Sequence, residues 1–416
     1  MLIHSASQLL TLAGGPQRGA DLGTLNIIPD GAVLIQEEKI VAVGPSDELR
    51  AALPHEPALN AAGNVVMPGF VDPHTHAIWA GDRSAEFEMR VGGATYMDIM
   101  NAGGGIISTV RATRQASLDT LIEETRPRLR NMFNCGTTTA EVKTGYGLDT
   151  DTELRMLAAL LVLNKEGPLE LAITFLGAHA VAPEYKDHSD EYTDLICKTT
   201  LPAVKDWWSD NAHPYDFPFV DVFCETGAFT LEQSRRILES ARSLGFPLKI
   251  HADEFDNLGG ASLAAELGAT SADHLVATSP EDIATLASSD TVAVALPCTP
   301  FGLAEDHYTP AQDFLAAGGL LAIATDLNPG TAWCENMQFA IALACRYLRL
   351  TPAQAIAAAT INSAAAINRA DRIGSLEPGK NADLLILDIP DYRHLGYRFG
   401  TNLVETVVKK GAIYAV

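Results

Sequence analysis

Val65-Val66-Met67-Pro68-Gly69-Phe70-Val71-Asp72-Pro73-His74-Thr75-His76 is the stretch that decides the fold. It reads as one buried strand ending on two histidines. Residues two apart on a strand share a face, so both imidazoles can reach one metal. A His-x-His pair alone is weak evidence, because two unrelated surface histidines look the same. Its weight comes from what the rest of the chain sets beside it.

Seven more apolar, β-rich runs follow, at 137–144, 171–180, 219–225, 247–254, 271–275, 291–297 and 320–326. Helical patterns such as 230–244 and 260–267 separate them. Apolar strands alternating with helices predict a parallel sheet covered by helices. Eight repeats in roughly 300 residues fit an α/β fold of the (β/α)8, TIM-type barrel class. An open doubly wound sheet is the rival. Polar residues favour the barrel, because they gather at the strand C-termini: His74 and His76, Glu141 and Lys143, His179, Glu225, His251 with Asp253 and Glu254, Asp273 and His274, and Asp326. A barrel brings all these ends to one face, whereas an open sheet spreads them in a row.

The chain ends differ in character. Residues 32–44 read as two short strands around a charged turn, and 383–388 and 404–414 are strand-like again. Termini often lie close in space. The expected organisation is therefore a small β-sandwich domain from residues 1–64 and 371–416, flanking a catalytic barrel at 65–370.

The chain has 416 residues, 47% of them hydrophobic, enough for a large buried core. Its 29 basic and 52 acidic residues give a net charge of −23. Such a surface repels nucleic acid and anionic membranes, so neither is an expected partner. A small anionic substrate remains compatible if an arginine lies in the pocket. No apolar run of about 18 residues suggests a membrane span, and the N-terminus lacks a secretion-signal pattern. Cys135, Cys197, Cys224, Cys298, Cys334 and Cys345 form no short-spaced pair. They read as reduced thiols, and the expected compartment is the cytoplasm.

His251 ends the fifth strand and Asp326 the eighth. With His74 and His76 they make three imidazoles and one carboxylate, a set that suits zinc or iron and leaves a position for water. A metal there lowers the pKa of bound water toward ~7. Asp326 can both bind it and accept the water proton. His274 would orient the nucleophile or polarise a carbonyl; a fifth ligand or a core histidine are the other readings. Glu254 would shuttle a proton to the leaving nitrogen, unless it is an exposed loop carboxylate.

The motif Pro68-Gly69-Phe70-Val71-Asp72-x-His74-Thr75-His76, with the later histidines and aspartate and the closing Ile373-Gly374-Ser375-Leu376-Glu377-Pro378-Gly379-Lys380-x-Ala382-Asp383-Leu384, resembles the amidohydrolase superfamily. Within it, the runs 103–114, 141–148, 175–181 and 326–331 are similar to the imidazolonepropionase family, and the likeness spans nearly the whole chain. The resemblance implies hydrolysis of the cyclic amide of 4-imidazolone-5-propanoate to N-formimidoyl-L-glutamate, one divalent or trivalent metal, zinc or iron, and a homodimer. Two-metal relatives carry a modified lysine at the fourth strand end. Here that strand reads Val220-Asp221-Val222-Phe223-Cys224-Glu225, which favours one metal.

The resemblance places Arg83, Tyr146 and His179 on the substrate, with Asn328, Gly330 and Thr331. A guanidinium forks onto a carboxylate such as the propionate. Arg83 could instead pair with Asp82 or Glu86, Tyr146 could pack its loop, and His179 could be a core histidine or a ligand in place of His251. Residues 328–331 look like a helix entry whose N–H groups hold a carbonyl or anion; a plain turn is the alternative. Gly103-Gly104-Gly105 is no phosphate loop, since no Gly-Lys-Ser/Thr follows. One departure stands out: Pro297-Cys298-Thr299-Pro300-Phe301-Gly302-Leu303 replaces an expected aromatic-rich stretch after the seventh strand. The rival functions are deamination of a purine- or triazine-like ring on the same scaffold, and a catalytically silent binding protein.

Overall fold

A computed structural model describes residues 1–94, 98 and 103–416. Eight parallel strands form one sheet in sequence order: β6 (Phe70–Asp72), β7 (Thr137–Lys143), β8 (Glu170–Ala178), β9 (Phe219–Cys224), β10 (Lys249–Ala252), β11 (Ser271–His274), β12 (Val292–Ala295) and β13 (Leu321–Ile323). Helices follow the strands, among them Thr150–Glu166 after β7 and Leu231–Ser243 after β9. The two edges meet just past β6 and β13. There His76 N donates to Leu327 O at 2.8 Å, and Asp326 N to His74 O at 3.2 Å. Thr325 adds bonds from N (3.1 Å) and Oγ1 (2.5 Å) to the Asp72 carboxylate. The barrel thus closes at the residues that carry His74, His76 and Asp326.

Both chain ends build the second sheet. It contains β1 (Leu2–Leu10), β2 (Ile27–Gln36), β3 (Lys39–Pro45), β4 (Ala58–Asn60), β5 (Val65–Pro68), β14 (Leu384–Leu387), β15 (Val404–Lys409) and β16 (Ala412–Ala415). Ile3, Val33 and Ile35 from one half share a core with Val66, Ile386 and Val408 from the other. The opening stretch is therefore two strands, not one. Val65–Pro68 pairs with β1 and β14, and only Phe70–Asp72 joins the barrel. The domain boundary expected at 64/65 falls at Gly69 instead. Gly69 makes the crossing because a Cβ there would lie 2.3 Å from Thr138 Oγ1.

The loop after His76 is clamped from behind. Arg128, on helix Leu118–Asn134, donates Nη1 to Ala77 O and Trp79 O, each at 3.0 Å, with its guanidinium 3.4 Å above the Trp79 ring. This satisfies buried carbonyls and adds a cation–π contact.

At the opposite end, Glu170 links the barrel to the small sheet. It pairs with Arg369 at 2.9 Å and with Lys409 of β15 at 3.3 Å. Burial works to raise its pKa, but Lys409 and Arg369 outweigh burial and bring it to about 2. A carboxyl with a depressed native pKa adds stability above its ordinary value of 4.5, and that stability is lost as the pH falls toward 2. Glu170→Gln is expected to lower the melting temperature at neutral pH and to flatten its fall between pH ~5 and ~3, as measured by thermal denaturation across that range.

Candidate metal centre

His74, His76, His251 and Asp326 converge at the barrel mouth. His251 Nε2 lies 3.2 Å from His76 Nε2, and Asp326 Oδ1 lies 3.4 Å from His74 Nε2 and 3.6 Å from His76 Nε2. His74 Nε2 and Asp326 Oδ1 are buried without a hydrogen-bond partner. Orphaned buried acceptors are costly, so two of them facing each other fit a cation between them. Burial, reinforced by neighbouring positive and imidazole groups, holds the pKa values of His74 and His76 well below the ordinary value of 6.5. Both rings are thus neutral, which is the ligand form. The residues fit one divalent metal, and Lys143 lies on the second barrel strand with its ammonium already engaged by Glu141 and Asp221, each at 2.7 Å.

His274 joins the cluster, its ring 5.2 Å from His251 and 5.3 Å from His74. Its Nδ1 lies 3.6 Å from Glu254 Oε1. Glu254 is nearly buried, and burial together with Asp326 and Glu225 raises its pKa well above 4.5. Glu225 and Asp253 stand apart from this group. Glu225 accepts backbone N–H bonds from Thr226 and Phe255, and Asp253 accepts from Thr278 Oγ1 and Leu258 N, so both hold loops.

The organic side of the pocket faces His76. His179 stacks on it at 4.8 Å, and Tyr146 lies 6.1 Å from it. His179 Nδ1 lies 3.1 Å from Gly145 O. Burial and His251 lower its pKa to about 3. A neutral ring that donates from Nδ1 to a carbonyl presents Nε2 as an acceptor. The Tyr146 loop is fixed by Glu153, which accepts from Gly145 N (3.1 Å), Gly147 N (2.7 Å) and Leu148 N (3.0 Å). Arg114 holds Gly147 O at 2.7 Å.

Arg83 is paired with Glu86 rather than Asp82, through Nε at 3.0 Å and Nη2 at 2.9 Å. Gly105 N and Ser108 Oγ also donate to Glu86. The glycine-rich run therefore ends by bracing the arginine. The guanidinium lies over Gly330, where a Cβ would be 2.2 Å from Nη1. Residues 328–331 do not open a helix; the next one begins at Met337. Asn328 Oδ1 takes the N–H groups of Gly330 and Thr331, both at 2.8 Å, so those donors face the asparagine and not the pocket.

Several partners of the site were not readable as such. The atypical run after β12 forms a short helix over Cys298–Leu303. Its Thr299 donates Oγ1 to Asp326 Oδ2 at 2.5 Å, leaving Oδ1 for the cluster. Asp273 Oδ2 lies 2.6 Å from His74 Nδ1, and Asp221 Oδ2 lies 3.0 Å from His251 Nδ1. Asp273 was visible as a polar strand-end residue, and the only signal for Asp221 was a lone carboxylate within an apolar strand.

The chain was compared with known proteins. The model of the family described as "Amidohydrolase family" matches residues 65–414, and that of the "Imidazolonepropionase-like composite domain, bacteria" matches residues 31–55. The chain is similar to an imidazolonepropionase of Herpetosiphon aurantiacus, 52% identical over 99% of this chain and 96% of the relative. It is also similar to one of Chloroflexus aggregans, 50% identical over 99% and 98%. Among solved structures, the atrazine chlorohydrolase of Arthrobacter aurescens TC1, complexed with zinc, shares the fold with a TM-score of 0.72 at 17% identity, over 99% of this chain and 94% of that one.

The Thr299 bond gives a direct test. Thr299→Val keeps the shape and removes a hydrogen bond to a carboxylate, worth about 1.5–3 kcal/mol. Metal affinity, read by chelator competition, should fall about ten- to a hundredfold.

Proposed function

The chain belongs to the amidohydrolase family and, within it, to the imidazolonepropionases, and on that premise we propose that it opens the cyclic amide of 4-imidazolone-5-propanoate to N-formimidoyl-L-glutamate. This is a hydrolytic step of histidine degradation. The observation that carries the reading is the coincidence, at one barrel mouth, of the His74–His76–His251–Asp326 cluster with the guanidinium of Arg83. The first provides for hydrolysis. The second suits a substrate with a carboxylate tail.

His74, His76, His251 and Asp326 would hold the metal, and their chemistry suits zinc or iron. Once bound, such a metal activates water at neutral pH. In the reaction water adds to the ring carbonyl carbon, the carbonyl–nitrogen bond breaks and the nitrogen leaves with a proton. Asp326 takes the proton from the attacking water. In the metal-free chain burial raises its carboxyl above the ordinary carboxylate value, to about 6. His274 orients the reacting groups. Glu254, whose pKa is raised by burial, gives a proton to the leaving nitrogen, with His274 Nδ1 3.6 Å away as a route for exchange.

Arg83 takes the propionate, sharing its guanidinium with Glu86. Tyr146 and His179 line the ring, and Asn328, Gly330 and Thr331 shape the wall on which Arg83 lies. The deaminase alternative draws only on fold likeness, since the zinc-bound neighbour is 17% identical whereas the named relatives reach 52%. The silent-scaffold alternative is disfavoured because all four candidate ligands are present and converge. The proposal includes a cytoplasmic homodimer: the six cysteines are free, as a reducing compartment requires, and light scattering should give about twice the chain mass of 44.3 kDa.

The purified protein is expected to turn over 4-imidazolone-5-propanoate and to lose activity when chelated, regaining it on metal return. A metal-loaded protein inert toward this compound rules the substrate out. Arg83→Ala should raise KM about ten- to a hundredfold, the cost of losing a charge-assisted fork, and leave any turnover of a neutral ring compound nearly unchanged.

A further inference from the structure

Below the metal cluster the barrel is filled with charge. Glu141, Lys143, Asp221, Lys249 and Asp273 all have fully buried side chains. They come from four different strands, and each ammonium bridges strands. Lys143 Nζ lies 2.7 Å from Glu141 Oε1, 2.7 Å from Asp221 Oδ2 and 3.5 Å from Asp273 Oδ2. Lys249 Nζ lies 2.7 Å from Glu141 Oε2, 3.7 Å from Asp273 Oδ2 and 2.7 Å from the carbonyl of Pro73, the residue before His74.

The oxygens that meet the lysines also meet the histidines. Asp273 Oδ2 is 2.6 Å from His74 Nδ1, and Asp221 Oδ2 is 3.0 Å from His251 Nδ1. The Asp273 carboxylate on His74 Nδ1 fixes that ring's tautomer and angle and leaves Nε2 with its lone pair toward a metal, while Asp221 stands in ion-pair reach of His251 Nδ1. A buried carboxylate stays in place only with a counter-charge. Here one ammonium serves both carboxylates.

We propose that Lys143 is a positioning residue for the metal centre: it ties together Asp221 and Asp273, and through them sets His251 and His74 as ligands, with Lys249 anchoring the same network to the backbone of the His74 strand. Without Lys143, Asp221 loses its ammonium partner and Asp273 keeps only Lys249 at 3.7 Å, so their oxygens are freer to turn from the imidazoles. The inference rests on the metal-site reading above and concerns how tightly and in what geometry the ion is held, not which substrate is used.

The test strips the protein of metal, reloads it with cobalt(II), and measures affinity by chelator competition and ligand geometry by the visible d–d absorption, with no substrate present. Lys143→Met should bind about 10–100-fold more weakly than the parent and show an altered cobalt spectrum, which a merely space-filling lysine would not produce. Should that variant not accumulate folded, Lys143→Met combined with Glu141→Gln removes one charge of each sign and leaves both histidine-bound carboxylates, with the same loss expected. Affinity within about twofold of the parent and an unchanged spectrum in either variant overturns the inference. A parent that binds no metal instead overturns the site reading on which it stands.

Discussion

A charge placed inside a barrel must find its counter-charge there, because water cannot reach it. Barrel interiors are usually layers of branched aliphatic side chains. In this chain part of that space holds three carboxylates and two ammonium groups: Glu141 and Asp221 meet the ammoniums at 2.7 Å, and Asp273 lies 3.5 and 3.7 Å from them. That satisfaction demands fixed strand register, since Glu141 and Lys143 must face Asp221 on β9, Lys249 on β10 and Asp273 on β11. The same register then delivers His251 beside Asp221 and His74 beside Asp273. Ordering of the candidate metal ligands thus follows from how the interior neutralises itself.

The substrate side is organised by different means. Arg83 and Tyr146 lie on loops, which on their own are mobile. Each loop is fastened by a buried or half-buried carboxylate accepting several donors: Glu86 takes Arg83, Gly105 N and Ser108 Oγ, while Glu153 takes three backbone N–H groups around Tyr146. Arg114, at the end of the helix that starts after Gly105, reaches Gly147 O. The two loops are therefore coupled through one helix, and a shift in the glycine-rich run would be felt at both.

The eight barrel strands were legible because apolar runs alternate with helical patterns and end on polar residues. Gly69 was not, because Val65–Pro68 and Phe70–Asp72 are equally apolar and hydrophobicity cannot say that a chain has left one sheet for another. The strand pairings reveal the crossing, and the clash a Cβ would make with Thr138 explains why a glycine stands there. The convergence of His74, His76, His251 and Asp326 was legible from strand ends. The 328–331 helix entry was misread because Asn328 offers its side chain to the same N–H groups a helix would leave free, a local competition that propensity does not resolve. Thr299 escaped because its loop departs from the expected pattern, yet the short helix it forms packs so tightly on the substrate wall that a Cβ at Gly302 would lie 1.9 Å from Thr331 O.

Backbone strain marks the same place. Asp253, His274, Leu275 and Asp326 all adopt positive φ, between 52° and 79°. Such conformations are uncommon for residues other than glycine and cost on the order of 1 kcal/mol or more each. They persist only where surrounding bonds over-determine them. Those bonds are visible: Thr309 Oγ1 holds His274 O at 2.6 Å, Thr299 and Asn328 hold Asp326, and Thr278 holds Asp253. All four residues lie where a strand has ended and its chain must turn outward. The strain accompanies only His274 and Asp326 in the cluster, whereas His74, His76 and His251 reach it without a left-handed backbone.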